Sequence, residues 1–430
     1  MKLLVQTQLS NIVNGRFDLS CDSGWVMCTG RIREMLKLNP ELEVDITGPY
    51  YHQLVDLPIS TNPDLFSSGH VRYLQHRVFP NAIATRYDFD FVHMAEMLDL
   101  DLHKENKTWR YDAVYINDPL LLRHYKALFH VKAGYQPRFY VHSHFVDVPS
   151  NPKFPQDASL WLGQVEATQR ADFNFWQCQT ALDEFEANAR KLLKDDVVDS
   201  ILAKSLAWDD GFSYEEITSP INASNIRFDT EEFKRRIENK VVLFMPNRIS
   251  PSSGDYTAGM KMMFELLPKL HEQLGDSFVL VCGNPNQKFS NEELEKRCGQ
   301  YGYIKVGQSS FNRNEYKFIA QNSHISLHLY NGTDTYGGTA MRECVTLGCA
   351  PVMCDCNEYT KIAAACAIGG CDEWPYMCAL DFSNFVNVVE QLCHVGIDEL
   401  KHHMCNLQSV VRERCSYEST TLKAMRIMGL

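Results

Sequence analysis

The chain predicts an α/β protein built from two doubly wound domains with parallel sheets, and three observations carry that expectation. Short apolar, β-branched runs recur between segments of helical spacing, as at Leu3 to Gln6, Ala113 to Ile116 and Lys240 to Met245. The last is almost wholly apolar, as a strand buried on both faces must be. A chain of 430 residues exceeds what one core holds and suits two domains. The hydrophobic pattern also lapses between Trp208 and Thr230 into acids, Ser219-Pro220 and Ile221-Asn222, and then restarts. These features set a first domain at 1–225, a second at 226–410 and a final helix in 411–430.

Composition narrows the function classes. With 45% hydrophobic and 22% charged residues, the chain is that of an ordinary globular protein. A formal charge of -12 disfavours a broad nucleic-acid surface, which needs clustered Lys and Arg. Met1 to Val5 is apolar only briefly before Gln6, too short for an export signal or a membrane span. A cytoplasmic location is therefore expected, the host cytoplasm if the protein is viral. Fifteen cysteines are then expected as reduced thiols in the core. Cys354, Cys356, Cys366, Cys371 and Cys378 cluster in sequence, but their spacing matches no paired CxxC, so no metal site is expected.

In the first half, Leu3 to Gln6 reads as strand one and Trp25 to Leu36 as the helix after it. The loop between them faces the ligand in doubly wound folds, which makes Ser23 and Gly24 candidates. Leu42 to Ile46 reads as a strand, Phe91 to Leu98 as a helix, and Ala113 to Ile116 as a further strand. Arg138 to His144 is an aromatic, β-branched run ending in two histidines, His142 and His144, at the carboxyl end of a strand, where open parallel sheets bind ligands. A neutral imidazole there orients a hydroxyl or accepts a proton. Trp161 and Trp176 read as core.

In the second half, Lys240 to Met245 ends in Pro246-Asn247-Arg248. Met260 to Gln273 reads as a helix and Ser277 to Cys282 as a strand ended by Gly283. A loop with Phe311, Asn312 and Arg313 precedes the helix from Tyr316 to Asn322. The most informative stretch follows: Ile325 to Tyr330 reads as a strand, Asn331 to Gly338 as turn chemistry, Thr339 to Leu347 as a helix closed by Gly348, and Pro351-Val352 as the next strand. A glycine pair at a helix start lets an anion reach N–H groups that the helix leaves unsatisfied, and the helix dipole favours it. One turn further in, the Glu343 carboxylate is placed to accept from a ribose or sugar hydroxyl pair. Asn357-Glu358-Tyr359 is expected beyond the next strand, lining a cleft edge.

This stretch resembles the donor-site motif of retaining glycosyltransferases of the GT-B fold, of the glycogen-synthase and sucrose-synthase type. Asp334-Thr335-Tyr336-Gly337 stands for its first half, Arg342-Glu343 for its second, and Gly348 to Val352 for its end. Two departures stand out. The first acid is Asp334 rather than glutamate and lies one residue further from Glu343 than the pattern has it. The lysine that usually follows the arginine of the first donor-domain strand, here Arg248, is also missing, so either Lys261 or Lys288 takes its place or the diphosphate clamp is weaker.

The resemblance implies two Rossmann-like domains facing a central cleft, with the last helix returning to the first domain. It implies a nucleotide-sugar donor, UDP- or another NDP-sugar, and a hydroxyl acceptor, with retention and no obligatory metal or cofactor. Glu343 would hold the ribose. Arg248, Gly337 and Gly338 would hold the diphosphate, with Gly283, Asn284, Thr335, Tyr336, Thr339 and Lys261 completing the donor site. Asp334 would contact sugar hydroxyls, and His144, then His142, would face the sugar or acceptor beside Ser23 and Gly24. The loop containing Arg313 would lie against the nucleobase. Phage enzymes that glycosylate hydroxymethylated DNA bases share the fold, so DNA stands as an alternative acceptor. A non-catalytic nucleotide-sugar-binding protein or an epimerase on the same fold is the second alternative.

Overall fold

The computed structural model describes residues 1–7, 19, 23–49, 57–76, 89–98, 111–144, 146, 158–246, 258–283, 291–307, 311–329, 338–369, 373–395 and 397–430. They form two compact units, Met1–Gly211 together with Tyr417–Leu430, and Phe212–Ser416.

The first unit is built on a seven-stranded sheet of β1 (Lys2–Gln6), β2 (Glu43–Pro49), β3 (Val71–His76), β4 (Ala113–Ile116), β5 (Arg138–Ser143), β6 (Phe173–Trp176) and β7 (Ser205–Ala207). Its order is β3-β2-β1-β4-β5-β6-β7, and every neighbouring pair is parallel. Parallel strands need crossover connections, so helices cover both faces. Alternation along β1 divides the core accordingly. Leu3 and Val5 pack with Trp25, Ile32 and Met35 of the Ser23–Leu38 helix, whereas Leu4 packs with Leu122, Tyr125 and Phe129 on the opposite face. The Tyr417–Met428 helix adds Ala424, Met425 and Met428 to the first of these cores. Burying each methionine contributes about 1.5–3 kcal/mol. Gly30 lets this helix come close, because a Cβ there would overlap the Tyr417 ring.

Sequence periodicity misses β3, and the structure shows why. It is the edge strand, where Val71-Arg72-Tyr73-Leu74-Gln75-His76 keeps neither a continuous apolar run nor a strict alternation, and Arg72 is held by a paired contact with Asp45 at 2.7 Å.

The second unit carries a parallel sheet of β8 (Val241–Met245), β9 (Phe278–Cys282), β10 (Ile325–His328), β11 (Ala350–Cys354) and β12 (Met377–Cys378), in the order β12-β11-β10-β8-β9. Val242 and Phe244 face one core with Val281, Ile319 and Cys344, while Leu243 and Met245 face the other with Leu280, Leu327 and Val352. The single helix expected from Met260 to Gln273 is divided into Ala258–Lys261, a π-helical turn Met262–Leu266 and Leu267–Leu274. Pro268 explains the break, since it has no N–H to continue the ladder.

Strand order reverses between β1 and β4 in the first unit and between β8 and β10 in the second. Open α/β sheets bind ligands beyond the carboxyl ends of strands at such reversals. Phe212 onward belongs to the second unit, including a stretch whose polar sequence reads as a linker. There Ser213 caps the Tyr214–Thr218 helix, and the buried Lys317 ammonium donates to the Glu216 and Ser219 carbonyls at 2.8 and 2.6 Å. Phe212 and Ile217 add to the core there, but two apolar anchors joined by hydrogen bonds make no period, which is why the sequence pattern does not reveal it. Among the described residues, no helix is long and apolar enough to cross a membrane.

Candidate functional site

Two polar clusters sit at the carboxyl ends of the two sheets. In the first unit, β5 carries His142 as its penultimate residue, and His144 lies just past its end. Their rings stack with centroids 4.4 Å apart and an interplanar angle of 12°. His144 Nδ1 lies 3.0 Å from Asp210 Oδ1, and its Nε2 lies 3.3 Å from Asn117 Oδ1. Asn117 is itself held at the reversal between β1 and β4: its Nδ2 donates to the Gln6 carbonyl at 2.6 Å, and Gln6 Oε1 accepts from the Asp118 N–H at 3.0 Å.

Behind the histidines, Arg31 from the Ser23–Leu38 helix is 2% exposed. Its Nη1 donates to the Tyr115 hydroxyl at 2.8 Å, its Nη2 to the Asp209 carbonyl at 2.8 Å, and its guanidinium lies 4.2 Å from the Trp208 ring centroid. Tyr115 in turn lies 2.7 Å from His142 Nδ1. The tautomer follows, because Tyr115, already accepting from Arg31, donates to Nδ1 and leaves the His142 proton on Nε2. That Nε2 is 3.2 Å from Asp210 Oδ1, though out of line for a hydrogen bond.

These groups fix one another's charge. Burial holds His142 well below the ordinary histidine value, and Arg31 and His144 push the same way, so it is neutral. Burial alone would raise Asp210, but His144 and His142 outweigh it and hold the carboxyl well below the usual range. Burial opposes the Arg31 charge too, and Tyr115 and Asp210 overcome that. His142, His144 and Asp210 present three metal-ligating atoms within 4.8 Å of one another. Arg31, 3.4 Å from Asp210 Oδ1, already supplies a positive charge opposite that carboxylate.

In the second unit, Glu343 lies in the middle of the Thr339–Thr346 helix that follows β10 and is 5% exposed. Its Oε1 accepts from Arg313 Nη2 at 2.7 Å. Arg313 opens the Arg313–Gln321 helix, capped by Asn312, and its Nε also donates to Glu216 Oε1 and Oε2 at 3.1 and 3.0 Å. Burial opposes the Arg313 charge, but Glu343 and Glu216 overcome it and raise its pKa well above the ordinary value. At the helix start, the Gly338 N–H donates to the Tyr359 hydroxyl at 3.1 Å. Gly348 follows the helix at φ +101, a conformation that only glycine adopts without strain.

No described protein family matches the chain by sequence, and no curated protein does. Solved structures do match it along its whole length. Anabaena HepE in complex with UDP and glucose superimposes with a TM-score of 0.62 at 12% identity, over 100% of this chain and 99% of that one. A glycosyltransferase from Rickettsia africae gives 0.64 at 12% identity, over 99% and 97%. A UDP-forming α,α-trehalose-phosphate synthase from Burkholderia xenovorans, in complex with glucose-6-phosphate, gives 0.62 at 10% identity, over 100% of both chains.

The fold is GT-B. On this GT-B frame, the residues expected from sequence fall in different places. His142, His144, Glu343, Gly338 and Thr339 stand at carboxyl strand ends or on the helix that follows β10. Gly24 is buried in the first turn of the helix that Ser23 opens, and the Ser23 side chain lies outside the described residues. Gly283 ends β9, where a Cβ would meet Phe311 at 3.3 Å. The Lys261 ammonium donates to the Asp381 carbonyl at 3.1 Å and sits 4.9 Å from the Phe382 ring centroid. Arg248, Asn284, Asp334, Thr335, Tyr336 and Gly337 lie outside the described residues.

Tyr359 is a correction: expected at a cleft edge, it is fully buried beneath the Gly338 turn. Among the cysteines read as a sequence cluster, Cys354, Cys356, Cys366 and Cys378 are buried core residues.

Sequence reasoning missed Arg31, Asp210 and Glu216. Arg31 had a signal, since it occupies the apolar stripe Cys28–Ile32–Met35 of its helix, where an arginine needs buried partners. Asp210 follows a three-residue strand too short for periodicity to mark.

Proposed function

We propose that the protein is a nucleotide-sugar-dependent glycosyltransferase that moves a sugar to a hydroxyl acceptor with retention of configuration and without an obligatory metal. The observation that carries this reading is the buried Glu343 carboxylate on the helix after β10, beside the strand reversal of a GT-B second unit. In the proposed chemistry Glu343 accepts from the donor ribose. Arg248 and the Gly337–Gly338 amides stabilise the departing diphosphate, and Asp334 holds sugar hydroxyls. Fixed dipoles and cations aimed at the leaving group act electrostatically as its charge grows. His144, oriented by Asp210, serves a sugar or acceptor hydroxyl.

The neighbours in complex with UDP and glucose, or with glucose-6-phosphate, support a UDP-sugar as donor and a sugar or sugar phosphate as acceptor. They give no support to DNA. Transfer and donor hydrolysis over a panel of nucleotide sugars test the proposal, with mass spectrometry of the product. Glu343→Ala and Arg248→Ala are expected to abolish turnover in a folded protein, and near-normal turnover in both sinks these roles. A second reading, nucleotide-sugar binding without turnover, is favoured by the engagement of the Gly338 N–H with Tyr359 and of Lys261 with Asp381. Binding of a nucleotide sugar without any hydrolysis or transfer would select it.

A further inference from the structure

The Glu343–Arg313–Glu216 chain has more structure than a ribose-binding carboxylate requires by itself. Arg313 is the first residue of its helix, where the dipole disfavours a cation, so helix electrostatics do not account for it. Its guanidinium is instead oriented from two sides. Glu216, on the Tyr214–Thr218 helix, takes Nε and Nη2, and Glu343 takes Nη2 at 2.7 Å. Lys317 then fixes the backbone of Glu216 and Ser219. The result is a carboxylate with one oxygen, Oε1, committed to a planar, rigidly held donor.

A glutamate side chain that is free to rotate accepts from one hydroxyl or two with little preference. A carboxylate pinned at Oε1 keeps a fixed plane, and its remaining acceptor sites, Oε2 foremost, meet a hydroxyl pair only in one geometry. We propose that Arg313 is a positioning residue that pins Glu343, with Glu216 pinning Arg313, and that this makes the site select a ribonucleoside diphosphate over its 2′-deoxy counterpart. The proposal rests on the reading of Glu343 as the ribose-binding residue and adds the device that gives it selectivity. Arg313 touches no reacting atom. Its effect on turnover runs through donor binding and appears in KM rather than kcat.

The test is titration calorimetry on the full chain with UDP, ADP, GDP and CDP and their 2′-deoxy counterparts, with a thermal melt of each variant as a folding control. The wild type is expected to bind one ribonucleoside diphosphate about tenfold or more tighter than its deoxy form, as loss of a charge-assisted hydrogen bond implies. Arg313→Lys keeps the charge but loses the planar fork, and is expected to narrow that ratio to about twofold. Glu216→Gln is expected to give an intermediate ratio, and carries the comparison if Arg313→Lys does not fold. A merely structural ion pair would change the melting temperature and leave the ratio alone. A folded variant with the wild-type ratio overturns the role of Arg313 while the donor site stands. A wild type that binds none of the eight probes overturns both.

Discussion

Asp210 holds the Nδ1 side of His144 through a 3.0 Å contact, and it does so while facing Arg31 at 3.4 Å. One carboxylate therefore orients a candidate acid–base histidine and balances a buried guanidinium. Asp210→Asn keeps the size and removes the charge. It is expected to destabilise the protein by about 3 kcal/mol, the cost of breaking one side of a buried pair, as measured by urea unfolding. His144→Asn is expected to lower transfer by about 10²–10⁴-fold, and to lower the unfolding midpoint less than Asp210→Asn does, since Arg31 still faces the carboxylate. An unchanged midpoint in the first variant would show that the carboxylate does not hold the network.

The same cluster sets a pH dependence. His142 has a folded value well below its unfolded one, with Arg31, Tyr115, His144 and Asp210 around it. As pH falls below about 6.5, the unfolded chain takes up a proton that folded His142 refuses, so stability drops. Asp210 is also depressed, and below about pH 4 its stabilisation is lost in turn. Asp210 adds stability at neutral pH that fades on acidification, whereas neutral His142 adds none there and costs stability as the pH falls. His142→Asn is expected to flatten the fall between pH 6.5 and 5 by up to about 1.4 kcal/mol per pH unit. Parallel curves for variant and wild type would refute the assignment.

Gly30 is a close-approach glycine rather than a flexible one. In a helix, Gly→Ala ordinarily stabilises by about 1 kcal/mol. Here the new Cβ meets the buried Tyr417 ring, and overpacking costs about 1–3 kcal/mol. The clash is expected to win, so Gly30→Ala lowers the unfolding midpoint and Gly30→Val lowers it further. Tyr417→Leu should restore Gly30→Ala, and a double-mutant cycle showing no coupling would contradict the packing.

Glu315 gathers four hydrogen bonds on one buried carboxylate, from the Arg227 N–H at 2.8 Å, Arg227 Nε at 2.9 Å, Arg227 Nη2 at 2.7 Å and the Asn312 N–H at 2.9 Å. It closes a capping box and anchors the segment ahead of β8. Glu315→Ala is expected to cost about 3 kcal/mol, with Glu315→Gln costing less. A loss below about 1 kcal/mol, the level of a surface pair, would mean that the carboxylate is replaceable by water.

Strands that are apolar on both faces were legible in the sequence, because burial leaves no polar residue in runs such as Val241–Met245. So were β10, the helix carrying Glu343 and the strand after it, since an apolar run, helix spacing and a second apolar run follow in order. Edge strand β3 and the three-residue β7 were not, as one has no sustained period and the other is too short to have one. In the candidate site, His142 and His144 announced themselves at a strand end. Their partners did not, because Arg31 and Asp210 are 179 positions apart and meet only through the fold. Glu343 was likewise visible, whereas Arg313 and Glu216 become its neighbours only once a segment that reads as a linker is wound into the second unit.

The placement of the Tyr417–Met428 helix in the first unit has a consequence for biosynthesis. The first sheet leaves the ribosome before the second unit, but the hydrophobic surface of Leu3, Val5 and Ile32 waits for Met425 and Met428, which are translated after it. The contiguous stretch from Phe212 to Ser416 has no such dependence and is free to condense first. A chain cut just before Tyr417 would therefore keep every residue of the second unit and leave that apolar face of the first unit uncovered and prone to chaperone capture.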